Sequence, residues 1–306
     1  MNGEHQSGEQ GMTPAHRAAL VRLRGAWGRL DGSTILVTGA TGGVGLQTAV
    51  DLARLGARVL VHGRDRERCA TALAAVTAAS TSGVAPRSYL ADLSVAHEVR
   101  ALVAAVLREH PRLDVLVANA GVYAPERRET ADGLELTFAV NAVAPVLLAC
   151  GLLPALRAAA PARIVVVGSA SHWTGEVHWD DLHLARPGAY AALRAYDQSK
   201  LAVLMLTLAL ARRLDGSGVS AVCLDPGDVA TELLARGWPG LRGIPVGDGA
   251  VTSVYLATSP AAARLSGVYL EDGEVTRPLA AALDVAAQEL LWGAVEAATG
   301  PLPVAR

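Results

Sequence analysis

The sequence has few of the features that mark secreted, metal-binding or nucleic-acid-binding proteins. Its 306 residues include only three cysteines, Cys69, Cys150 and Cys223, which are widely spaced and form no C-x-x-C pair. This spacing argues against a disulfide framework and against a zinc site, and it predicts reduced thiols in a cytoplasmic protein. The formal net charge of −2 offers no basic surface to a nucleic acid or an anionic membrane. We therefore expect no nucleic-acid partner.

The sequence also has no apolar run of the roughly 20 residues that a transmembrane helix needs. The nearest candidate, residues 201–211, is short and lies between Lys200 and the pair Arg212 and Arg213, which favours a buried core helix. The polar first residues do not show the charged-then-apolar order of a signal peptide. The sequence thus predicts no membrane partner. Hydrophobic residues make up 51% of the chain, which is enough for a large core.

From residue 33 onward, strand-like and helix-like patterns alternate. Short apolar runs such as "STILVTGA", "ARVLVHGR" and "LDVLVANAG" are followed by stretches with apolar residues at helical spacing. The strands are apolar on both faces, as in a parallel sheet covered by helices on both sides. We predict an α/β fold: a doubly wound parallel sheet in three α/β/α layers, known as a Rossmann fold. Residues 1–30 are expected to form a partly disordered extension with one short helix, and residues 31–306 a single domain that ends in a helix at about 280–299.

A glycine-rich loop, "TGATGGVG", joins the first predicted strand to the first helix of this alternation. Glycines allow the backbone to approach a pyrophosphate, and the N-terminus of the following helix offers free N–H groups to it. The glycine spacing is not the G-x-G-x-x-G form, so a turn needed only for packing is the alternative. In this strand–loop–helix context we predict nucleotide binding by Thr38, Gly39, Thr41, Gly43, Val44 and Gly45.

The end of the second predicted strand bears on which nucleotide binds. NAD sites place an acidic residue there for the ribose 2′-hydroxyl, whereas an arginine suits a 2′-phosphate. The sequence "VHGRDRER" has Arg64 at this point, followed directly by Asp65. We predict that NADP(H) is favoured, with NAD(H) as the alternative; a surface charge cluster would also explain Arg64.

Tyr196 and Lys200 are four residues apart in "AYDQSK", so on a helix they share one face. A lysine cation favours the phenolate and lowers the pKa of a neighbouring tyrosine, which would make this an acid–base pair. Two residues on a solvated helix are the plain alternative. Tyr190 and Arg194 form a similar pair, but they follow "RPGA" in a loop or helix start. We prefer Tyr196.

These motifs, taken together, resemble those of the short-chain dehydrogenase/reductase family over nearly the whole chain from Ser33. The branch with the closest likeness is that of the retinol dehydrogenases and the WW-domain oxidoreductase, through "SASHWTGEVHWDDL" and "QSKLAVLMLTLALARRLDGSGV". Besides the glycine loop and Arg64, the resemblance assigns cofactor contacts to Asp92, Leu93, Asn119, Ala120, Gly121, Tyr196, Lys200, Pro226, Gly227, Val229 and Thr231.

The resemblance implies hydride transfer between a nicotinamide and a carbonyl or alcohol carbon. In that role Tyr196 exchanges a proton with the substrate oxygen, and Ser169 donates a hydrogen bond to it. Lys200 would lower the pKa of Tyr196 and bind the nicotinamide ribose, while Asn141 would hold a water that links Lys200 to solvent. Ser171 is a rival for the serine role, but Ser169 aligns better with the family motif.

Five residues are predicted to contact the substrate: Ser169, Ser171, His172, Trp173 and Trp238. Trp238 lies in a glycine-rich segment, about 230–248, which we expect to be a mobile lid. An ordinary loop is the alternative. His172, His178 and His183 are candidate metal ligands, but their spacing fits no standard ligand pattern, so we predict no metal.

We therefore expect an NADP(H)-dependent ketoreductase or alcohol dehydrogenase that acts on a bulky apolar small molecule. The Ala- and Arg-rich composition suggests a bacterial gene and secondary metabolism. There are two alternatives. One is a relative that uses bound nicotinamide for epimerisation, dehydration or cyclisation, and the other is a non-catalytic nucleotide sensor. The family is often dimeric or tetrameric, so a homodimer or homotetramer is expected unless the C-terminal helix blocks the shared surface.

Overall fold

A single eight-stranded sheet forms the centre of the protein, which the computed structural model describes for residues 12–304. The strands are β1 Thr34–Val37, β2 Arg58–Gly63, β3 Arg87–Leu90, β4 Val115–Ala118, β5 Ala162–Val167, β6 Val219–Leu224, β7 Tyr269–Glu271 and β8 Glu274–Thr276. Their order is β3-β2-β1-β4-β5-β6-β7-β8, and every neighbouring pair is parallel except β7–β8. The predicted doubly wound sheet is confirmed, whereas the short strands β7 and β8 were not predicted.

Helices cover both faces of this sheet. They are α1 Pro14–Gly25, α2 Gly43–Arg54, α3 Arg66–Ala79, α4 Ala96–Glu109, α5 Leu136–Phe138, α6 Ala144–Ala159, α7 Ala192–Arg213, α8 Glu232–Gly237, α9 Val246–Gly249, α10 Val251–Thr258 and α11 Val285–Thr299. One layer contains α2, α3 and α10, and the other contains α4, α6, α7 and α11. This is the three-layer α/β/α arrangement.

Alternating strand residues divide between the two layers. In β1, Leu36 belongs to the core cluster with α4, α6 and α7, whereas Ile35 and Val37 belong to the cluster with α2, α3 and α10. Successive side chains of a strand point to opposite faces, so a strand buried on both sides must be apolar at every position. This requirement explains the uninterrupted apolar runs in the sequence.

The apolar stretch of residues 133–156 does not form one continuous α-helix. A π-helical turn, Ala139–Val143, separates α5 from α6 and carries Asn141. Such turns are often found at functional sites. Within residues 12–304, the stretch Leu136–Ala159 is also the one helix long and apolar enough to cross a membrane, although the sequence analysis found no run of that length and named 201–211 as the nearest candidate. Its apolar window is 89% buried, as in the core helix of a soluble domain, so this is weak evidence for a span.

The N-terminal extension contains an ordered helix, α1, while its first 11 residues lie outside the described part. The hydroxyl of Thr13 caps α1 by accepting a hydrogen bond from the His16 amide, with Pro14 in the first turn. Leu20 and Leu23 pack with Val251 of α10. Helix α1 is therefore docked on the domain.

The C-terminal helix α11 packs along α7. Leu291 and Trp292 are buried there, and the guanidinium of Arg213 lies 4.0 Å from the Trp292 ring centroid. The α7 surface is thus covered from within the chain. The homodimer or homotetramer stays a prediction, and a contact through this covered surface is disfavoured.

We predict that Leu20→Ala destabilises the whole domain by about 2–4 kcal/mol, because it leaves a cavity beneath α1. The matched change Val21→Ala on the exposed side of α1, where Val21 is 64% exposed, should alter the free energy of unfolding by less than about 0.5 kcal/mol. Chemical denaturation of both variants measures the difference. Equal stabilities would show that α1 is not part of the cooperative unit.

Candidate active site

A cavity of about 540 Å³ runs along the carboxyl ends of the strands, from the glycine loop to Tyr196. The residues predicted to bind a cofactor all line it, with the exception of Thr38. Ligands bind at this edge in doubly wound sheets because the strand order reverses there. The fold therefore brings together motifs that are nearly 200 residues apart in the chain.

The glycine loop is shaped to receive a phosphate. Gly39 and Gly43 have φ values of +62° and +52°, in the left-handed region that favours glycine. A Cβ on Gly45 would lie 2.4 Å from the Gly39 carbonyl oxygen and 2.3 Å from Asn119 Nδ2. Helix α2 begins at Gly43 without a side-chain cap, which leaves its first N–H groups free for an anion. These residues fit a dinucleotide pyrophosphate.

Thr38 was predicted to contact the cofactor, but it does not line the cavity. Its side chain is buried, and its Oγ1 accepts hydrogen bonds from the amides of Asn119 (3.0 Å) and Ala120 (3.1 Å). Asn119 Nδ2 in turn donates to the Thr38 carbonyl at 2.9 Å. Thr38 therefore ties β1 to the end of β4 and acts on the cavity only through Asn119.

Three charged residues follow β2 at the cavity. Arg64 is exposed and lines the cavity, as predicted. Asp65 caps α3, because its carboxylate accepts a hydrogen bond from the Arg68 amide at 2.8 Å. Arg68, which was not predicted as a cofactor contact, also lines the cavity and lies 3.6 Å from Glu232 of α8. The two arginines suit a 2′-phosphate. The carboxylate of Asp65 is already bound to the Arg68 amide and is less suited to hold a ribose hydroxyl.

His62 was also missed as a site residue. It is buried at the end of β2, where Nε2 donates to the Ala91 carbonyl (3.2 Å) and Nδ1 accepts from the Gly39 amide (3.4 Å). Burial lowers the pKa of His62 to about 4, so the ring is neutral and holds the first turn of the glycine loop. The position of His62 at the end of the second predicted strand was the sequence feature that could have identified it as a site residue.

The proton-transfer residues meet at the other end of the cavity. Lys200 Nζ lies 5.5 Å from the centroid of the Tyr196 ring and donates to the Val167 carbonyl at 3.2 Å. Burial lowers the pKa of Lys200 to about 8. Ser169 starts the 3₁₀ turn Ala170–Thr174 after β5, and its hydroxyl accepts a hydrogen bond from the Ser171 amide at 3.1 Å.

The expected lowering of the Tyr196 pKa is not found. Burial raises the pKa of this phenol, and the hydrogen bond with Ser169 opposes that rise only in part. Tyr196 is 5% exposed, so loss of water outweighs the effect of a neighbouring cation. The phenol is therefore held protonated at neutral pH.

Asn141 lies behind this pair and does not line the cavity. Its side chain accepts from the Val122 amide (2.8 Å) and donates to the Val122 carbonyl (2.9 Å) and to Ser199 Oγ (3.0 Å). A Cβ on Gly121 would lie 3.5 Å from Asn141 Oδ1 and 3.8 Å from Lys200 Nζ, so the two side chains are close. The role of Asn141 in a water relay stays a prediction.

The predicted substrate residues divide into two groups. Ser169, Ser171 and Trp238 line the cavity, whereas His172 and Trp173 do not. His172 is fully buried, donates from Nδ1 to the Ser169 carbonyl at 2.9 Å, and contacts the Tyr269 ring edge to face. The Trp173 indole N–H bonds to Glu271 on the outer side. Within the 3₁₀ turn these two rings therefore face away from the cavity.

Tyr123 lines the cavity beside Tyr196 and was not predicted from the sequence. Its ring lies 5.7 Å from the Tyr196 ring and 5.6 Å from the Trp238 ring, and Trp238 lies 5.4 Å from Tyr196. The three rings form one aromatic cluster, in which Tyr123 and Trp238 both lie against the Tyr196 phenol. Tyr123 follows the Asn-Ala-Gly motif by two positions, which was the only sequence signal.

The predicted lid contains the short helix α8, and backbone hydrogen bonds join its two ends. Thr231 caps α8, and Val229 pairs with Ile244 through a parallel bridge. The Ala230 amide donates to the Ile244 carbonyl at 2.9 Å. These bonds join the two ends of the segment, as in an Ω-loop, while Trp238 reaches the cavity between them. Its mobility stays a prediction.

The alternative pair Tyr190–Arg194 and the histidine His183, a candidate metal ligand, have structural roles. Tyr190 donates its hydroxyl hydrogen to the Ala124 carbonyl at 2.7 Å and lies off the cavity, and Arg194 bonds to the Ala189 carbonyl. His183 Nδ1 accepts from the Glu135 amide at 3.4 Å. Among residues 12–304, no three His, Cys, Asp or Glu side chains are grouped as metal ligands would be.

With this geometry in place, the sequence can be compared with known families. The sequence model described as "short chain dehydrogenase" matches residues 33–240 of the chain. The protein belongs to the short-chain dehydrogenase family. The match covers the sheet from β1 to β6, the glycine loop and the Tyr196–Lys200 pair.

Two named proteins and one solved structure illustrate the similarity of this chain to other members of the family. Mouse retinol dehydrogenase 14 is 38% identical over 298 residues, covering 90% of this chain and 88% of that protein. A Streptomyces sp. (strain C5) protein assigned as daunorubicin C-13 ketoreductase DnrU is 37% identical, covering 89% and 94%. A short chain dehydrogenase from Burkholderia cenocepacia J2315, solved in complex with NADP, is 27% identical with a TM-score of 0.65, covering 80% and 98%.

We predict that Gly45→Ala weakens the fold around the glycine loop by about 1–3 kcal/mol, because the new Cβ would meet backbone at 2.4 Å. Gly42→Ala is the matched control: Gly42 has extended backbone, and its Cβ would meet only the flexible end of Arg68 at 3.1 Å. Thermal unfolding of the two proteins measures the contrast. Equal losses would mean that Gly45 is not closely packed.

Proposed function

We propose that this short-chain dehydrogenase transfers hydride between NADP(H) and the carbonyl or secondary alcohol of a bulky apolar molecule. The observation that carries the proposal is the convergence of Ser169, Tyr196 and Lys200 in one cavity with the glycine loop. A nucleotide sensor needs no buried phenol beside a buried ammonium. The predicted cytoplasmic location remains a prediction.

The choice of NADP(H) rests on the chemistry at the end of β2. Arg64 and Arg68 line the cavity there, and the carboxylate of Asp65 is bound to the start of α3. A guanidinium binds phosphate oxygens in a bidentate manner. The Burkholderia relative, which binds NADP, supports the same choice.

When bound, the nicotinamide supplies or accepts the hydride, and the side chains handle the proton and the charge. Tyr196, held protonated by burial, donates its proton to the oxygen of a carbonyl substrate as charge develops there. The Ser169 hydroxyl lies beside the phenol and donates a hydrogen bond to the same oxygen. Lys200, fixed by the Val167 carbonyl, supplies a positive charge that stabilises the phenolate left behind.

The proposed substrate class follows from the side chains around Tyr196. Tyr123, Trp238 and Leu241 line this end of the cavity. Large aromatic surfaces with few charges favour an apolar, ring-containing substrate. The relative assigned as DnrU is named as a ketoreductase acting at C-13 of daunorubicin, which supports a ketoreductase role in secondary metabolism. The retinol dehydrogenase relative supports an alcohol of similar apolar character.

We predict that Tyr196→Phe lowers the kcat for NADPH-dependent reduction of aromatic ketones by about 100-fold or more, since the proton donor is lost. Binding of NADPH, measured by nicotinamide fluorescence, should remain. Tyr190→Phe is the matched control because Tyr190 lies off the cavity. Product change without net NADPH oxidation would instead indicate epimerisation or dehydration. NADPH binding without turnover of any substrate would favour a sensor.

We predict that Arg64→Ser lowers kcat/KM for NADPH by about 10-fold or more and leaves the value for NADH nearly unchanged, because a phosphate contact is removed. Arg66→Ser provides the control, since Arg66 is exposed but does not line the cavity. Steady-state kinetics with both cofactors distinguish the two. Equal losses for NADPH and NADH would contradict the assignment.

A further inference from the structure

Asp225, the residue before the Pro226–Gly227 motif, has no assigned role in the proposed mechanism. It is only 8% exposed and lies at the end of β6. A second cavity, of about 1290 Å³, lies between α1 and the lid segment, and Asp225 lines it while remaining outside the cofactor cavity. Asp225 thus separates the catalytic residues from a second open space.

The carboxylate of Asp225 joins two parts of the active site. It accepts a hydrogen bond from the Ala170 amide at 3.1 Å, and the Asp225 backbone continues directly into Pro226 and Gly227. Ala170 follows Ser169, and Gly227 belongs to the loop that closes the cavity. One buried carboxylate therefore holds the Ser169 turn and the Pro226–Gly227 motif together.

No cation forms a salt bridge with this carboxylate among residues 12–304. The titratable groups that face it are Tyr196 and Lys200 from α7, Cys223 from β6, Tyr269 and Glu271 from β7, and Asp228 from the loop. His172 lies on the Ala170 turn, and the paired His16 and Asp272 lie across the second cavity.

Among these groups, Lys200 is the cation on which the charge of Asp225 can act: Lys200 is bound to the Val167 carbonyl, and Val167 pairs with Leu224, the residue directly before Asp225. Burial raises the pKa of Cys223 to about 12, so its thiol is uncharged when Lys200 titrates. Burial also lowers the pKa of His172, so that ring is neutral. Asp225 is therefore the principal counter-charge behind the Tyr196–Lys200 pair.

We propose that Asp225 is a positioning residue that clamps the Ser169 turn to the Pro226–Gly227 motif, and whose charge keeps both Lys200 and Tyr196 protonated. The consequence for turnover rests on the proposed function, because a protonated Tyr196 is the form that donates to a carbonyl. A buried negative charge near a phenol and an ammonium favours the proton-bound form of each. Above its own pKa of about 7, Asp225 thus extends to higher pH the range in which Tyr196 can donate a proton.

Lys200 can be titrated directly because it is the only lysine in the sequence. Protein labelled with ¹³Cε-lysine should give one lysine NMR signal, with a midpoint near the pKa of about 8. In Asp225→Asn, which keeps the accepting oxygen and removes the charge, the midpoint should fall by about one pH unit. Asp215→Asn is the control for charge removal, since Asp215 follows the far end of α7, roughly 20 Å from Lys200, and should leave the midpoint unchanged.

The wild-type protein offers a second measurement that needs no variant. Burial raises the pKa of Asp225 to about 7, so the Lys200 signal should show a smaller inflection near pH 7 that is absent from Asp225→Asn. If Asp225→Asn does not fold, this wild-type inflection decides the matter. A midpoint equal to that of wild type in folded Asp225→Asn, or a missing inflection, overturns the proposal.

Turnover separates this inference from the proposed function. During ketone reduction, the loss of kcat at high pH should begin about one pH unit lower in Asp225→Asn, because Tyr196 loses its proton earlier. Shifted NMR midpoints in a protein that reduces no ketone would support the role of Asp225 and refute the ketoreductase assignment. Ketone reduction with an unmoved pH profile and unmoved midpoints would refute the role of Asp225 alone.

Discussion

The burial of one ammonium group constrains the whole active site. Lys200 is 5% exposed, and its pKa of about 8 lies below the ordinary value of 10.5. This difference corresponds to about 3 kcal/mol against the charged form. The ammonium therefore needs fixed partners, and the Val167 carbonyl at the end of β5 provides one at 3.2 Å.

Several polar side chains of the family motifs support the site through hydrogen bonds within the protein. Thr38 and Asn119 join the ends of β1 and β4, and Asn141 joins the backbone of Val122 to Ser199 on α7. Each bond satisfies a buried polar group that would otherwise destabilise the fold. The same bonds keep the glycine loop and Tyr196 at a constant separation, which proton and hydride transfer both require.

Residue pattern alone located most of the fold and part of the site. Strands buried on both faces must be apolar throughout, so the six longer parallel strands were recognisable, whereas β7 and β8 have three residues each and no measurable period. His172 and Trp173 were expected at the substrate because they follow Ser169. The 3₁₀ turn instead directs them away, and such a turn has no signature in the local sequence.

The sequence by itself determined the order of elements, the glycine loop and the presence of Tyr196 and Lys200 four residues apart, because these depend on local geometry. Tertiary structure decided the direction of the Tyr196 pKa, the aromatic neighbours of the phenol and the placement of Asp225 behind it. These properties depend on desolvation and on contacts between residues far apart in the chain. Such contacts exist only once the sheet has brought the strand ends together.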